Sequence, residues 1–406
     1  MEAGRPRWDK LGPMDLVDAL FNWLLEGAPG ATSSEQVVSR LCQDLNAAAV
    51  PVDRFAAFVR TLHPQILGRS FIWSPGQPVQ VEGLTLEMQR TAFASHGPAA
   101  EVMRSGAELR RCFAAGDAAD YKLLRDLVDA GFTDYIAMPL DFLSGEKHSV
   151  TFATKCPGGF QPQHLAALRR VRTPLARVAE ILALRRTAAN LLDTYVGRNA
   201  GARILAGRIL KGDIETIRAI IWFSDLRGFT EMSARMTPRQ TIDTLNELFE
   251  CQVLPIEEHG GEVLKFIGDG LLAIFPVASD DDLPRLCTSA LDAVDEAFAA
   301  LALRNDTAST QRLRFGLALH VGEVAYGNIG GASRLDFTAI GPAVNLAARL
   351  EGLTAKLGRP VIVSEELARF ASRPLQDLGS FELKGVAGAQ RVFATTRMST
   401  PPPSLT

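Results

Sequence analysis

The spacing of apolar residues changes period several times along the chain, and each change predicts an element. Residues 14–25 place apolar side chains at helical steps and stop at Gly27 and Pro29, which predicts an amphipathic helix. Thr32-Ser-Ser-Glu35 has the pattern of a capping box and predicts a second helix through Val38, Leu41 and Leu45. From Arg54 the pattern becomes strand-like over 55–62 and 66–73, around His63-Pro64, and Ser74-Pro-Gly-Gln-Pro78 closes the pair. Helical segments follow near 84–95 and 121–130, then two strands at 134–140 and 148–154 joined across Ser144-Gly145. Residues 162–195 form a long helical pattern in which Leu168, Val171, Leu175, Val178 and Leu182 step by 3, 4, 3 and 4, a short heptad seam. Pro174 is expected to kink that helix or divide it, and the arginines 169, 170, 172, 177, 185 and 186 flank the seam as a solvated face.

The second half reads differently. Ala219 to Phe223 is apolar and rich in strand formers, so it predicts a buried strand that delivers Asp225 to its end. The turn Leu226-Arg-Gly-Phe-Thr230 can point amide N–H groups at an anion. Residues 263–267 and 271–275 are apolar runs joined by Gly268-Asp-Gly270, a hairpin signal with Asp269 at its tip. Thr237-Pro-Arg-Gln240 starts a helix running past Leu248 and Leu254. A helix over 280–303, a strand over 313–321, a helix over 342–357 and strands at 361–363, 381–383 and 390–394 complete the series. Strand, helix, hairpin, helix, strand is a ferredoxin-like core with additions, so the fold class is α/β (α+β).

Two aspartates at strand ends, each near glycine, are ordinary turn residues in most proteins. Here they converge if their strands are neighbours, and together they suit two hard cations about 3.5–4 Å apart. Gly341-Pro-Ala-Val-Asn345 opens a helix with proline in its first turn, and Asn345 and Arg349 fall four residues apart on one face. An amide and a guanidinium projecting together suit the ribose and phosphates of a nucleotide.

Phe223-Ser-Asp-Leu-Arg-Gly-Phe-Thr230, Lys265-Phe-Ile-Gly-Asp-Gly270, Thr338-Ala-Ile-Gly341, Asn345 with Arg349, and Leu383-Lys-Gly385 together resemble the class III nucleotidyl cyclases over roughly 213–396. The resemblance implies that Asp225 and Asp269, with the carbonyl of Leu226, hold two divalent cations per site, Mg2+ or Mn2+. It implies that the amides of Leu226, Arg227, Gly228, Phe229 and Thr230 hold phosphates and that Lys384 holds the terminal ones. It assigns Asn345 and Arg349 to the ribose and the charged transition state. In the family these last residues come from the opposite subunit, so a head-to-tail homodimer is implied. Lys265 as donor and Thr338 as acceptor complement adenine, whereas guanine reverses both roles, so ATP is the expected substrate. Thr338 departs from the commoner aspartate and resembles a threonine subgroup that includes bicarbonate-responsive members. A guanylate cyclase, a diguanylate cyclase and a catalytically silent partner-binding protein are the alternatives; no Gly-Gly-Asp/Glu-Glu-Phe segment supports the second.

The expected partition is a sensor over 1–160, a helical dimerisation linker over 161–212, the catalytic domain over 213–397 and a disordered tail over 398–406. The layout of the sensor loosely resembles a GAF domain, although the Asn-Lys-Phe-Asp-Glu signature of the cyclic-nucleotide-binding members is absent. Its ligand, small molecule or protein, is unassigned. Composition narrows the rest. With 406 residues and 47% apolar content the chain can bury two or three cores. A formal charge of −3 without basic runs gives no reason to expect nucleic acid. No apolar stretch is long enough to span a bilayer, and a cytoplasmic location is the expectation. Cys42, Cys112, Cys156, Cys251 and Cys287 are scattered and predict reduced thiols, mostly in cores. His63, His96, His148 and His164 each stand alone and predict surface or core histidines in preference to metal or haem ligands.

Overall fold

A computed structural model of the chain describes residues 12–61, 66–85, 97–113, 120–307, 312–331 and 333–396. Residues 86–95 of the helix expected near 84–95, His63, His96 and the tail over 398–406 lie outside these residues, while Leu84 and Thr85 end a strand. The chain divides into two compact units, Met1–Leu191 and Leu192–Thr406, so the boundary falls inside the stretch expected as a linker.

The first unit opens with α1 (Pro13–Leu25) and α2 (Ser34–Ala47). The cap of α2 is shifted by one residue from the expected box: Ser33 accepts the Gln36 amide, and the Gln36 side chain accepts the amide of Thr32. Strands β1 (Arg54–Arg60), β2 (Ile66–Trp73) and β3 (Gln80–Thr85) follow, then α3 (Pro98–Ser105), β4 (Leu109–Cys112) and α4 (Lys122–Asp129). Strands β5 (Asp134–Asp141) and β6 (Lys147–Thr154) lead to α5 (Pro162–Val196). The six strands form one antiparallel sheet in the order β3-β2-β1-β6-β5-β4. Alternation along β5 explains why nearly every residue of it is buried: Ile136, Met138 and Leu140 enter a core with α1, α2 and α5, whereas Tyr135 and Ala137 enter a second core with α3 and α4.

Of two expectations about α5, one is narrowed and one is corrected. Pro174 does not divide the helix, which runs 35 residues through it; the proline ring is buried in the unit's core, and that packing offsets the lost hydrogen bond. The heptad seam is not free for a partner. Leu168, Val171, Leu175 and Val178 are buried in the core of their own unit, with Leu182 packed against its edge. Beyond them Ile181, Leu184, Leu191 and Tyr195 are exposed apolar side chains. His148 is a core histidine, its Nδ1 accepting the Arg60 amide at 3.1 Å and its ring 4.0 Å from that of Phe142. His164 accepts the amide of Gln161, three residues before it. All five cysteines are free thiols, with Cys42, Cys251 and Cys287 buried.

The second unit contains α6 (Arg198–Leu205), β7 (Ile214–Leu226), α7 (Phe229–Ser233) and α8 (Pro238–Glu258), the last capped by the Thr237/Gln240 box as expected. The hairpin β8 (Glu262–Ile267) and β9 (Gly270–Val277), helix α9 (Leu283–Thr307), β10 (Phe315–Gly330) and β11 (Leu335–Ile340) follow. The unit closes with α10 (Pro342–Leu357), β12 (Val361–Ser364), α11 (Glu365–Ala368), β13 (Leu375–Glu382) and β14 (Ala389–Thr395). The sheet order is β13-β14-β12-β10-β7-β9-β8, with β11 paired to β10. Its central path β10-β7-β9-β8 is the ferredoxin-like arrangement expected from the sequence. Alternation again divides the strands between layers. Ile220, Trp222, Leu271, Ala273 and Phe275 face α8 and α9, and Ala219, Ile221, Leu272 and Ile274 face α6 and α10. Strand β10 extends past the expected end at Val321 because its second half gains β11 as a partner.

Candidate active site

Strand β7 is held by β10 on one side and β9 on the other, which fixes the position of its last residues. Asp225 pairs in register with Gly270, and the Leu226 amide donates to the Asp269 carbonyl at 3.3 Å. The two aspartates expected to converge are therefore brought together. Gly270 is required by this closeness: a Cβ there would lie 2.7 Å from the Ser224 carbonyl oxygen and 3.3 Å from Oδ1 of Asp225. Burial pushes the Asp225 carboxyl up to about 6, and the neighbouring charges of Asp269 and Glu351 push in the same direction. Arg227 opposes them weakly.

The side-chain donors at this point are two carboxylates, and Leu226, whose carbonyl the resemblance adds to them, is the next residue along β7. Among the described residues no group of three or more His, Cys, Asp or Glu side chains gathers for a metal. A pair of half-buried, mutually repelling carboxylates still fits a hard divalent cation that takes its remaining ligands from water and phosphate.

Arg227 departs from expectation. Its amide donates to the Arg314 carbonyl at 2.8 Å, so that N–H is not free for a phosphate. Its guanidinium is spent on Glu351, donating to Oε1 at 2.5 Å and to the carbonyl at 3.3 Å. A Cβ at Gly316 would lie 1.9 Å from Nη2 of Arg227, so the absence of a side chain there makes the passage. Next along the chain, Gly228 caps the short α7 with a positive φ of 72°, and Phe229 and Thr230 form its first turn, where amides lack intrahelical acceptors.

Lys265 lies at a bulge of β8 and forms an ion pair with Asp336 of β11. Asp336 is two residues before Thr338 on the same strand face, so the structure brings Lys265 and Thr338 to one place. Thr338 is buried, and among the described residues its hydroxyl has no hydrogen-bond partner. That is an orphan buried polar group of the kind a ligand satisfies.

Asn345 and Arg349 are both exposed on α10. Glu351, on the same helix, is buried toward Arg227 and Asp225. At about 100° per residue, Asn345 and Arg349 point roughly 120° and 160° away from Glu351. The structure thus does not bring them to the aspartates of their own chain. Lys384 is exposed in the turn after β13, where the Val386 amide donates to the Leu383 carbonyl. Two further residues, Asp336 and Glu351, were not singled out from the sequence. Their partners are 71 and 124 residues away, and no local spacing signals such pairs.

Residues 214–396 match the family of adenylate and guanylate cyclase catalytic domains. An adenylate cyclase of Anabaena cylindrica is 34% identical over 163 residues, covering 40% of this chain and 32% of its own length. Adenylate cyclase 1 of Rhizobium meliloti (strain 1021) is 30% identical over 196 residues, covering 44% of this chain and 29% of its own length. The chain therefore spans about a third of these relatives. The solved structure of a bacterial light-regulated adenylyl cyclase aligns with a TM-score of 0.45 at 24% identity, covering 55% of this chain and 63% of that one.

Proposed function

We propose, from the premise that residues 214–396 belong to the adenylate and guanylate cyclase catalytic domain family, that the protein converts ATP to 3′,5′-cyclic AMP and pyrophosphate at sites shared by two copies of the chain. The observation that carries this reading is the division of the site's parts. Asp225 and Asp269 meet at the end of β7, while Asn345 and Arg349 point away from them on α10. A head-to-tail pair of chains supplies each aspartate pair with the other copy's α10 face, and two equivalent sites result.

In the reaction the ribose 3′-oxygen loses its proton and bonds to the α-phosphorus, and the bond from that phosphorus to the β-phosphate oxygen breaks. Two divalent cations, held by Asp225, Asp269 and the Leu226 carbonyl, would supply activation of the 3′-hydroxyl and neutralisation of pyrophosphate. The free amides of Gly228, Phe229 and Thr230 orient phosphate oxygens, and the exposed ammonium of Lys384 takes the terminal ones. Asn345 of the second copy fixes the ribose, and Arg349 meets the charge that builds on the α-phosphate. The Lys265 ammonium donates to adenine N1, and the orphan hydroxyl of Thr338 accepts from the 6-amino group.

The first unit is read as a sensor acting through α5. The apolar side chains that α5 leaves exposed, Ile181, Leu184, Leu191 and Tyr195, step by 3, 7 and 4, and they suit pairing with a second copy of the helix. A cytoplasmic location is part of this reading; among the described residues no helix is long and apolar enough to cross a membrane.

The test is turnover by the purified full-length protein with ATP or GTP, in Mg2+ or Mn2+, beside Asp225→Ala. Cyclic AMP from ATP that disappears in the variant is the expected result. Preferential use of GTP would move the assignment to guanylate cyclase, and no product under any condition would leave the silent partner-binding reading.

A further inference from the structure

The first unit contains a cleft between α2, α5 and the sheet face of β1, β2 and β5, with a cavity volume of about 50 Å³ that opens to solvent. Its body is apolar: Val38, Phe55, Ala57, Phe71, Leu140 and Leu175 line it. One end is different. Thr61, Arg69 and Arg186 line the cleft there, and both the Thr61 hydroxyl and Nε of Arg69 are buried without a hydrogen-bond partner among the described residues.

Two guanidiniums near each other without a bound counter-charge are costly in a half-apolar setting. Burial lowers the affinity of Arg69 for its proton, and the charge of Arg186 lowers it further. Glu35 is the acidic side chain whose charge reaches both arginines, yet it forms an ion pair with neither. It is engaged with its own amide and with Ser33 at the start of α2. The orphan Nε–H, the second guanidinium and the orphan hydroxyl therefore form an incomplete anion site at the end of an apolar slot. A fully polar ligand would leave the slot's body unsatisfied, and a neutral apolar one would leave the arginines as they are.

We propose that this cleft binds a small amphiphilic anion, with a carboxylate held by Arg69, Arg186 and Thr61 and an aliphatic body lying along Phe55, Leu140 and Leu175. Helix α5 supplies Leu175, Ala179, Leu182 and Arg186 at steps of 4, 3 and 4, so the ligand lies along one face of α5 for three turns. Bound anion pins that helix to the sheet of the first unit. This binding stands apart from the catalytic reading, because it is measured directly and not through turnover.

The test is isothermal titration of the full-length protein with sodium decanoate below its micellar range, beside 1-decanol and inorganic phosphate. Decanoate is expected to bind once per chain, with decanol at least tenfold weaker and no heat from phosphate. Arg186→Gln, at a partly exposed position, should weaken decanoate at least tenfold, and Ala179→Phe should block it by filling the slot while both guanidiniums remain. Far-ultraviolet circular dichroism verifies that each variant is folded. Equal affinity for decanoate and decanol, unchanged binding in folded Arg186→Gln or folded Ala179→Phe, or no heat from decanoate with the unaltered protein would each overturn the proposal.

Discussion

The ammonium of Lys265 is paired with the carboxylate of Asp336, on the strand that carries Thr338 two residues further on. A purine that takes a hydrogen bond from Lys265 must therefore draw that ammonium from an existing partner. The pair is partly solvated, with side-chain exposures of 28% and 58%, so it is worth at most about 1 kcal/mol. Asp336→Asn should lower KM for ATP by up to about fivefold with kcat little changed. Steady-state kinetics decide this, and an unchanged KM would mean that Lys265 keeps Asp336 when substrate binds.

Asp225 gives a pH prediction with a definite sign. Its carboxyl titrates near 6 in the folded chain, above the ordinary value of 3.8. Between those values the folded state holds the extra proton, so stability of the cation-free protein falls as pH rises toward 6 and stays reduced above it. Asp225→Asn removes the penalty, about 1–2 kcal/mol once solvent screening of a half-buried group is allowed for. Urea midpoints in chelator should rise for the variant at pH 7.5 and match the unaltered protein at pH 3.5. Turnover should fall by more than about 100-fold. In the unaltered protein, Mg2+ affinity should weaken steadily below pH 6, because protons compete for the same oxygens.

Mixing Asp225→Ala with Arg349→Ala should restore activity that neither has alone. Under the shared-site reading each variant damages a different half of a site, so a mixed pair of chains retains one intact site and one doubly damaged one. With full exchange of copies, about half of the pairs are mixed, and recovery approaches a quarter of the unaltered turnover. Absence of recovery, with exchange demonstrated by differently tagged copies, would argue that each chain works alone.

Gly270→Ala tests how tightly the strand ladder sets the aspartates. A methyl group placed 2.7 Å from the Ser224 carbonyl must push β9 away from β7. The expected cost is about 1–3 kcal/mol of stability, and a greater than tenfold loss of kcat as Asp225 and Asp269 part. Normal kcat in a destabilised variant would separate the ladder's role in folding from its role in positioning.

The parts of the fold that were legible from the sequence are those in which chain-local signals and tertiary pairing agree. The bounds of α10 come from Gly341-Pro342 at one end and Gly358 in the left-handed conformation at the other, and both lie within a turn of the residues they govern. The hairpin carrying Asp269 was readable for the same reason. The heptad seam of α5 was misassigned because a 3-4 step marks an apolar stripe and not what covers it. A sheet of the same unit occupies that stripe as well as a second helix would. Strand β11 was missed although residues 335–340 alternate apolar and polar; the run is only six residues long, and the strand exists through its pairing with β10. Arg227 looked like part of a phosphate turn, and only the fold could reveal that Glu351 already holds it.

Asp225 and Asp269 both depend on the backbone pairing of β7 with β9, two interior strands of a continuous sheet. The spacing of their backbones is in effect a machined dimension, altered only by breaking the sheet. Under the shared-site reading, a sensor cannot tune the chemistry of one site by degrees. What it can alter is how many sites are complete at any moment, by admitting or withholding the second copy's Asn345 and Arg349. A regulator of this protein should therefore work as a counter of active sites. It should change the maximal rate in proportion to complete pairs, while each complete site turns over at one fixed speed.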